Sequence, residues 1–542
     1  MKKKQKWYSQ AVIYQVDTSL FYDANGDGFG DIAGIAEKLH YIRSLGATAI
    51  WITPFYLTPF RDEGYDIADH LQPDPRFGVI ADVIEFIEQA RALGLHVIIE
   101  LVIQHTSSEH MWFQEARRSP DSFYRDFYLW ADTPPEKDDP PMFPGVEESV
   151  WRWDEQAQQF YRHMFYRHEP DLNLTSKAVI HEIENIVRFW LKIGVSGFRL
   201  DAASHLTKQA GGGNDKKGYW ILEQLRGLIE SVNPEAILLG EVDVAPQEYR
   251  NYFGKNDRLH IALNFWVNKY FYVSLAEKKA LPLAGALSKM IVPPDGCCFA
   301  NWLRNHDELD LEGIGEVNKQ KVLDAFAPDE DMYVYQRGLR RRLAPMLSGN
   351  IERLAFCHAV LLSLPGVPVI RYGDEIGMGD DLSLKERYSV RTPMQWSADK
   401  NGGFSTADTS RLFRQPIASG PWRYKKVNVE RSQLSRHSLL HRVRHMVNIR
   451  AELHEICQAT WKIIPLKQEA VFAILYHGEQ RDVLALANFS EKPVKAALRD
   501  IADGYWEACL ADKGYDDTLR GGKTVPLLLN GYGYRWFSRR RD

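Results

Sequence analysis

Eight short apolar segments alternate with stretches of helical periodicity, and this alternation limits the fold more than any other feature of the sequence. The segment at 95–105, LHVIIELVIQH, is apolar almost throughout, as a parallel strand buried on both faces should be. Strands that alternate with helices favour a closed parallel barrel surrounded by those helices. We therefore predict an α/β fold built on a (β/α)₈ TIM barrel. The predicted strands lie at 12–17, 47–54, 95–105, 197–201, 236–242, 260–266, 299–307 and 367–375.

Long segments that break this alternation predict the domain organisation. The stretch 106–173, rich in aromatic residues, proline and charge, is too long for a plain loop and predicts an inserted domain B. Long loops are expected at 308–350 and 373–430, and helices include one at 32–45. The last part of the chain has short alternating strands, typical of an all-β sandwich domain. The predicted domains are the first part of the catalytic barrel at 1–105, domain B at 106–173, the second part of the barrel at 174–455 and the C-terminal β-sandwich at 456–542.

Composition excludes several classes of partner. A net charge of −5 gives no basic surface for nucleic acid or an anionic membrane. No apolar run reaches the roughly 18 residues of a membrane span, and the basic N-terminus is not followed by the apolar region of a signal peptide. The five cysteines are odd in number and form no CxxC pair, which indicates free thiols in a reducing compartment. We expect a cytoplasmic protein with small-molecule partners and no organic cofactor, and self-association into a homo-oligomer stays open.

An acidic, glycine-containing loop at 21–35, FYDANGDGFGDIAGI, is a candidate metal site. Clustered carboxylate and carbonyl oxygens on a tight turn suit a hard cation such as Ca²⁺, with Mg²⁺ as the alternative. The position at which an EF-hand carries glutamate is Gly34, so the loop predicts a single structural ion, and the competing interpretation is an Asx-turn loop without metal. The predicted ligands are Asp23, Asn25, Asp27, Phe29 (whose only oxygen is the backbone carbonyl) and Asp31.

Three carboxylates follow or end predicted strands and form the candidate catalytic centre. Asp201 lies two residues after Arg199, so both side chains point to the same face, and Glu241 and Asp307 end two further strands. An isolated Arg-x-Asp would most simply be a structural ion pair. Because the carboxyl ends of barrel strands meet at one face, all three carboxylates are expected in one site. Retaining glycoside cleavage needs such a set: Asp201 as nucleophile, ionised beside Arg199, and Glu241 as the acid/base with a raised pKa.

These motifs resemble those of the alpha-amylase superfamily, glycoside hydrolase family thirteen, over nearly the whole chain. The matching runs are GYDIADH at 64–70, His105, EPDLN at 169–173, GFRLDA at 197–202, the Glu241 strand, RNHDE at 304–308 and GDEIGMGD at 373–380. RTPMQWS at 391–397 makes the resemblance strongest to the trehalose synthases and oligo-1,6-glucosidases of that family. The resemblance implies that Asp307 grips sugar hydroxyls. It further implies substrate-binding roles for Tyr65, Asp66, His105, Arg199, His306 and Arg391.

Some residues depart from the family pattern. Glu100 stands where the family usually has aspartate, and Gln104 where it has asparagine, so each adds a methylene in a packed barrel. The first change could shift Arg199, and the second weakens the expectation of a further metal near domain B. Asp243 stands where trehalose synthases usually have asparagine, and Glu169, Ala203-Ser204 and Ile370-Arg371 also differ from the usual residues; several of these positions lie where the second sugar is expected.

The resemblance implies a retaining enzyme that interconverts maltose and trehalose through a covalent glucosyl-enzyme. An α-glucosidase that hydrolyses short α-glucosides would use the same carboxylates, and so would a transferase to another small acceptor. A catalytically silent relative that acts as a binding module is a fourth alternative, because fold does not fix function. The joint presence of Asp201, Glu241 and Asp307 argues against it.

Overall fold

The structure is a computed structural model that describes residues 6–213 and 217–541. Residues 1–5, 214–216 and 542, which belong to the first barrel part, the second barrel part and the C-terminal domain as predicted, lie outside the described residues.

The strands, in chain order, are β1 (Ile13–Val16), β2 (Ala49–Ile52), β3 (Tyr56–Leu57), β4 (Asp69–Pro73), β5 (His96–Leu101), β6 (Trp130–Ala131), β7 (Trp151–Asp154), β8 (Gln159–Arg162), β9 (Gly197–Leu200), β10 (Ile237–Gly240), β11 (Ile261–Leu263), β12 (Cys298–Trp302), β13 (Leu309–Asp310), β14 (Tyr333–Val334), β15 (Gly338–Leu339), β16 (Val367–Arg371), β17 (Thr460–Ile463), β18 (Val471–His477), β19 (Arg481–Asn488), β20 (Val494–Ala511), β21 (Thr518–Leu529) and β22 (Tyr534–Arg540).

The α-helices are α1 (Ile32–Glu37), α2 (Leu39–Ser44), α3 (Ile80–Ala92), α4 (Met111–Ala116), α5 (Lys177–Ile193), α6 (Ala203–Ala210), α7 (Trp220–Val232), α8 (Tyr249–Phe253), α9 (Phe265–Glu277), α10 (Leu281–Lys289), α11 (Glu316–Phe326), α12 (Leu343–Met346), α13 (Ile351–Ser363), α14 (Val429–Leu434), α15 (Leu439–Glu452) and α16 (Glu455–Gln458).

A closed parallel barrel confirms the predicted fold class, with strand order β1-β16-β12-β11-β10-β9-β5-β2. Each barrel strand is a run of mostly apolar residues because its two faces are both covered. One face fills the barrel interior with side chains such as Trp51, Ile98 and Trp302, and the other packs on the helices. The barrel is therefore a packed core, and its loops at the carboxyl ends are free to form a site.

Helix α5 shows how the sequence forms the outer layer. Its apolar residues recur at helical spacing and are buried against the barrel, among them Val179, Ile183 and Trp190. The helix ends at Gly194, which has φ +114°, a conformation that favours glycine at this position. The next residues lead directly into β9, which carries Arg199. The end of α5 therefore helps to fix the position of that arginine.

One predicted helix differs from the helices in the structure. The expected helix at 32–45 is divided into α1 and α2, because Lys38 leaves the helical backbone region at ψ 5°. The interruption shortens each helix to 6 residues. None of the helices among the described residues is long and apolar enough to cross a membrane.

The segments outside the barrel form smaller sheets. Strands β6, β8 and β7 form a three-stranded sheet within the predicted domain B, and β13, β15 and β14 form another within the loop after β12. The predicted C-terminal all-β domain is confirmed, and its strands are hydrogen-bonded as one antiparallel sheet in the order β17-β18-β19-β22-β20-β21. Register shifts in β20 let this long strand bend. The boundaries between the domains stay a prediction.

Candidate active site

The three predicted catalytic carboxylates line one cavity at the carboxyl face of the barrel. Asp201 follows β9 directly, Glu241 follows β10 directly, and Asp307 lies in the loop after β12. Parallel pairing of β9 with β10 places Leu200 beside Gly240, so the first two carboxylates leave neighbouring strand ends. The sequence prediction of one site at three strand ends agrees with this arrangement.

The buried guanidinium of Arg199 contacts two of the catalytic carboxylates, Asp201 and Glu241. It is 1% exposed, donates to Asp201, and its second terminal nitrogen lies 2.8 Å from Glu241 Oε2. A third carboxylate, Glu100, accepts from the same guanidinium at 2.9 Å. The buried guanidinium therefore fixes the positions of Asp201, Glu241 and Glu100 relative to one another and places a positive charge beside the proposed nucleophile.

Ala202 contributes to the geometry through its backbone. It has φ +45°, a left-handed conformation that is uncommon for a residue with a side chain. This conformation directs the Ala202 N–H to Glu241 Oε2 at 2.9 Å. Glu241 is thereby oriented by one charged and one neutral donor.

Glu241 is the carboxyl suited to donate a proton. Burial, together with the charges of Asp201 and Asp307, raises the pKa of Glu241 to about 8 against the opposing charge of Arg199. A carboxyl with this pKa is largely protonated near neutral pH and can protonate a leaving group.

We predict a loss of activity at alkaline pH from this raised pKa. A carboxyl that protonates a leaving group acts in its acid form, so kcat/KM on an α-glucoside should fall by about tenfold for each pH unit above a pKa of about 8. The measurement is a pH profile of initial rates. An α-glucosyl fluoride serves as control, since fluoride leaves without protonation, and its glucosylation step should not show this alkaline decrease. A flat profile on the α-glucoside up to pH 10 would contradict the assignment.

Asp307 is held ionised by arginines. Burial by itself would raise the pKa of Asp307, but the charges around it, including Arg387 and Arg391, lower the pKa well below its usual range. Both guanidinium groups donate to Asp307 Oδ1 at 2.9 Å. A carboxylate that is ionised at all working pH values can accept hydrogen bonds from sugar hydroxyls.

Arg387 is a site residue that the sequence interpretation missed. Besides Asp307, it binds both carboxylate oxygens of Asp62, at 2.8 and 3.0 Å, and both Arg387 and Asp62 line the cavity. In the sequence, the one feature that could have pointed to Arg387 is its position four residues before Arg391, a predicted substrate-binding residue. The fork of one arginine fixes two loops that are distant in sequence.

We predict that Arg387→Ala lowers kcat/KM on an α-glucoside by about 10²-fold, since Asp307 loses a charged donor and Asp62 is left buried without a partner. Arg387→Lys retains the charge but not the fork, and should lose less. Steady-state kinetics and a melting temperature for both variants test this. Alanine and lysine variants that both keep wild-type kcat/KM would show that Arg387 has no positioning role.

The ring of Tyr65 is linked to the catalytic carboxylates through His306. The two rings are parallel, and Tyr65 Oη lies 2.6 Å from His306 Nε2. Gln15 Nε2 lies 2.6 Å from His306 Nδ1, and with the amide nitrogen donating there, Nε2 carries the proton. Burial lowers the pKa of His306 well below its usual value, so the ring is neutral. Tyr65 and His306 both line the cavity, as predicted.

The remaining predicted sugar-binding residues are divided between the cavity wall and its support. His105 lines the cavity, with its Nδ1 at 2.8 Å from Gln104 Oε1. Asp66, expected at the rim of the sugar, is fully buried and accepts from Thr58 and from backbone N–H groups of residues 61 and 62. Arg391 donates to Glu63 and Asp307 behind the wall. Asp62 and Arg387 line the cavity in that region.

The two departures from the family pattern are accommodated. Glu100 Oε1 accepts from Trp51 at 2.8 Å and Tyr65 at 3.1 Å, while Oε2 binds Arg199, so the longer side chain uses both oxygens. Arg199 still reaches Asp201. The amide nitrogen of Gln104 donates to Asp171 at 2.9 Å, which ties β5 to the inserted domain.

The predicted metal loop is ordered by its own hydrogen bonds. Asp23 accepts from the N–H groups of Gly26 and Gly28, and Asp31 accepts from Ala24 and Gly34. Burial raises the pKa of Asp31 to about 6. Within the described ranges, no three Asp, Glu, His or Cys side chains converge as a metal-binding group.

Three loops meet over the cavity. Tyr166 of the inserted segment and Tyr335 of the loop after β12 both donate to Glu386 Oε2, at 2.6 and 2.7 Å. Glu386 belongs to the loop after β16, so its carboxylate links the inserted segment, the loop after β12 and the loop after β16. Phe143, which lines the cavity, packs against the rings of both tyrosines, so this junction forms part of the support of the cavity wall.

Comparison with known proteins identifies relatives along the whole chain. Residues 15–312 and 336–459 match a family described as alpha amylase, catalytic domain, and residues 481–538 match a sucrose hydrolase-like C-terminal domain. The chain is 41% identical over 489 residues to the trehalose synthase of Thermus thermophilus, which covers 89% of this chain and 50% of that protein. It is 37% identical over 553 residues to the trehalose synthase/amylase TreS of Mycolicibacterium smegmatis, 98% of this chain and 93% of that one. The chain therefore spans half the length of the first protein and nearly all of the second.

Two more distant similarities were found, one in sequence and one in structure. The glucan 1,6-alpha-glucosidase of Streptococcus pneumoniae is 30% identical over 516 residues, 90% of this chain and 92% of that protein. The structure of the trehalulose synthase MutB from Pseudomonas mesoacidophila superposes with a TM-score of 0.79 at 23% identity, over 98% of this chain and 99% of that one.

Proposed function

Since this chain belongs to the alpha-amylase family, we propose that it is a retaining α-glucosyltransferase that interconverts maltose and trehalose. The observation that carries the proposal is the convergence of Asp201, Glu241 and Asp307 on one cavity, with Arg199 joining the first two. Identities of 41% and 37% to proteins named trehalose synthase support the choice of substrates.

The proposed reaction has two steps. Asp201 attacks the anomeric carbon while Glu241 gives its proton to the glycosidic oxygen, so the second glucose leaves as an alcohol. The freed glucose turns within the cavity, and its anomeric hydroxyl attacks the glucosyl ester. Glu241, now a carboxylate, takes that hydroxyl proton, and Asp201 is released. Two inversions give net retention.

The covering loops favour transfer over hydrolysis. Glu386 joins the inserted segment to both long loops through Tyr166 and Tyr335, which would retain the freed glucose and exclude water. An α-glucosidase is the second candidate, supported by the 30% identity to a glucan 1,6-alpha-glucosidase, and it would require water at the same position.

Product analysis separates these activities. The protein is incubated with maltose, and separately with trehalose, in the presence of ¹³C-labelled free glucose, with Asp201→Asn as inactive control. We expect each disaccharide to form the other with little label, because the glucose stays in the cavity. Glucose as the sole product would establish the hydrolase, and unchanged disaccharides would contradict the proposal.

We further propose that the loop at 21–35 binds a structural Ca²⁺, or Mg²⁺. Asp23 and Asp31 are 2% and 3% exposed, and their hard oxygen donors suit such an ion. Asn25, which is exposed, and the backbone carbonyl of Phe29 would supply neutral oxygens, and the half-buried Asp27 would supply a further carboxylate. The ion would stabilise the loop and take no part in catalysis.

Metal removal tests this second proposal. EDTA should lower the melting temperature by a few degrees, with recovery on adding Ca²⁺, because a bound ion stabilises the folded state. Elemental analysis should find about one ion per chain, and Asp23→Asn should lose it. A melting temperature that does not change on adding EDTA or Ca²⁺ would contradict a structural metal.

We also propose a cellular location and a class of partners for this protein. All five cysteines are free in the structure, which supports a reducing, cytoplasmic compartment. The partners proposed are maltose, trehalose and related small glucosides.

A further inference from the structure

One side of the cavity is lined by three carboxylates besides those of the catalytic centre. Tyr65 and His105 lie in the loops after β2 and β5, while Asp243, Glu308 and Asp310 lie in the loops after β10 and β12. In the barrel order, β10 to β12 stand across the ring from β2. We call Asp243, Glu308 and Asp310, with Arg337 and Lys269, the acceptor wall, because Asp243 lies two residues after Glu241, the carboxyl that faces the leaving and attacking oxygens in the proposed reaction.

The cations of the acceptor wall are fully engaged. Lys269, 4% exposed on α9, donates to Asp243 Oδ2 and to the Glu312 carbonyl, each at 2.7 Å. Arg337 donates to Glu308 Oε1 at 2.5 Å and to the Met142 carbonyl at 2.7 Å, and its Nε lies 3.3 Å from Asp310. Both cations are therefore committed to partners within the protein rather than to an anionic or hydroxylic ligand.

The carboxylates, by contrast, retain acceptor capacity. Glu308 is only 7% exposed, lines the cavity, and within the described chain its Oε2 has no hydrogen-bond partner. Lys269 binds one oxygen of Asp243, whose side chain is 35% exposed toward the cavity. Three carboxylates against two cations leave the wall with one net negative charge. The acceptor that a ligand can reach is the second oxygen of Asp243, and Glu308, whose Oε2 is buried, contributes its negative charge behind it.

Resting on the proposed glucosyl transfer, we infer that the acceptor wall selects a sugar that carries a protonated amino group, an amino sugar such as D-glucosamine. An ammonium offers donors only and a positive charge, which match a wall of free acceptors with net negative charge. A hydroxyl at the same position donates once and brings no charge. The N-acetyl form loses both advantages.

The transfer balances without a further reactant. With α-glucosyl fluoride as donor, the C1–F bond breaks, C1 bonds to Asp201, and fluoride leaves. A hydroxyl oxygen of the amino sugar then attacks C1, the ester to Asp201 breaks, and Glu241 takes the hydroxyl proton. The amino group binds the wall and takes no part in bond formation.

The test is a competition in one mixture. The protein receives α-glucosyl fluoride with equal D-glucose and D-glucosamine, and mass spectrometry quantifies the two disaccharides. Near pH 6.5, we expect about tenfold more of the amino disaccharide, since a hydrogen bond to a charged group is the stronger one. The ratio should fall when the amine is deprotonated near pH 9, and N-acetylglucosamine should compete poorly.

Variants assign the preference to the wall. Asp243→Asn and Glu308→Gln should each bring the product ratio toward one, and a ratio is unaffected by a general loss of activity. The exposed-loop variant Asp121→Asn is the matched control and should keep the wild-type ratio. Equal transfer to both sugars by the wild-type protein would overturn the inference while leaving glucosyl transfer intact. Failure to consume the fluoride at all would instead contradict the proposed function.

Discussion

The Asp201→Asn variant is expected to lose at least about 10⁴-fold in kcat on maltose, because an amide cannot form the glucosyl ester. The loss should be the same in both directions of the disaccharide conversion, since one nucleophile serves both. The fold should persist, as Arg199 retains Glu100 and Glu241 as partners. Initial rates and a circular dichroism melt measure the two quantities.

A matched control is Asp374→Asn. Asp374 is also a buried aspartate paired with a buried arginine, Arg342, at 3.1 Å, but it lies outside the cavity wall. We expect this variant to retain most of the activity below its melting temperature. Substantial turnover by Asp201→Asn would mean that the nucleophile lies elsewhere, and equal losses in both variants would point to a general effect of removing a buried aspartate.

The Glu241→Gln variant is expected to lose about 10³-fold or more on maltose, yet to react with α-glucosyl fluoride. Maltose needs a protonated leaving group and fluoride does not, so only the first substrate depends on the acid. The second step then lacks its base, and the glucosyl ester on Asp201 should accumulate. Intact mass spectrometry should find one added glucosyl residue, and peptide mapping should place it on Asp201.

Azide distinguishes a missing base from a damaged site. Since azide attacks without proton removal, it should release the trapped glucosyl group from Glu241→Gln as α-glucosyl azide. The Asp201→Asn variant should show neither the adduct nor the rescue. Equal losses on maltose and fluoride, without an adduct, would contradict the acid/base role of Glu241.

The meeting of Asp201, Glu241 and Asp307 at one face was predictable because parallel barrel strands all end at that face. A buried strand that ends in a carboxylate presents that carboxylate at the carboxyl face of the barrel, wherever the strand lies in the chain. Asp201, Glu241 and Asp307 were therefore found from local patterns alone, and the structure brings them to one cavity. The same alternation of strands and helices that predicted the barrel also predicted that these strand ends lie together.

The supporting residues were not predictable, because they depend on how long loops return to the barrel. Arg387 reaches Asp62 across 325 positions of sequence, and no local pattern marks either residue as a partner of the other. Asp66 was expected at the sugar, but the turn that contains it uses its carboxylate for backbone N–H groups. The family pattern places a residue in the right loop without fixing which neighbour faces the cavity.

Glu100 shows a similar limit. Sequence reasoning could state that one methylene was added next to Arg199, but not what the longer side chain would reach. The structure gives both oxygens partners, including Trp51 and Tyr65, and burial raises the pKa of Glu100 to about 7. The substitution therefore adds contacts to the ring of Tyr65 without removing the support of the nucleophile's arginine.

The most direct test of the two-step mechanism is the anomer released first from an aryl α-glucoside. Proton NMR at early times distinguishes α-glucose from β-glucose before mutarotation mixes them. Attack by Asp201 followed by a second attack on the ester predicts α-glucose, with the β anomer appearing only later. β-Glucose as the first product would show single displacement by water and would contradict the roles of Asp201 as nucleophile and Glu241 as acid/base.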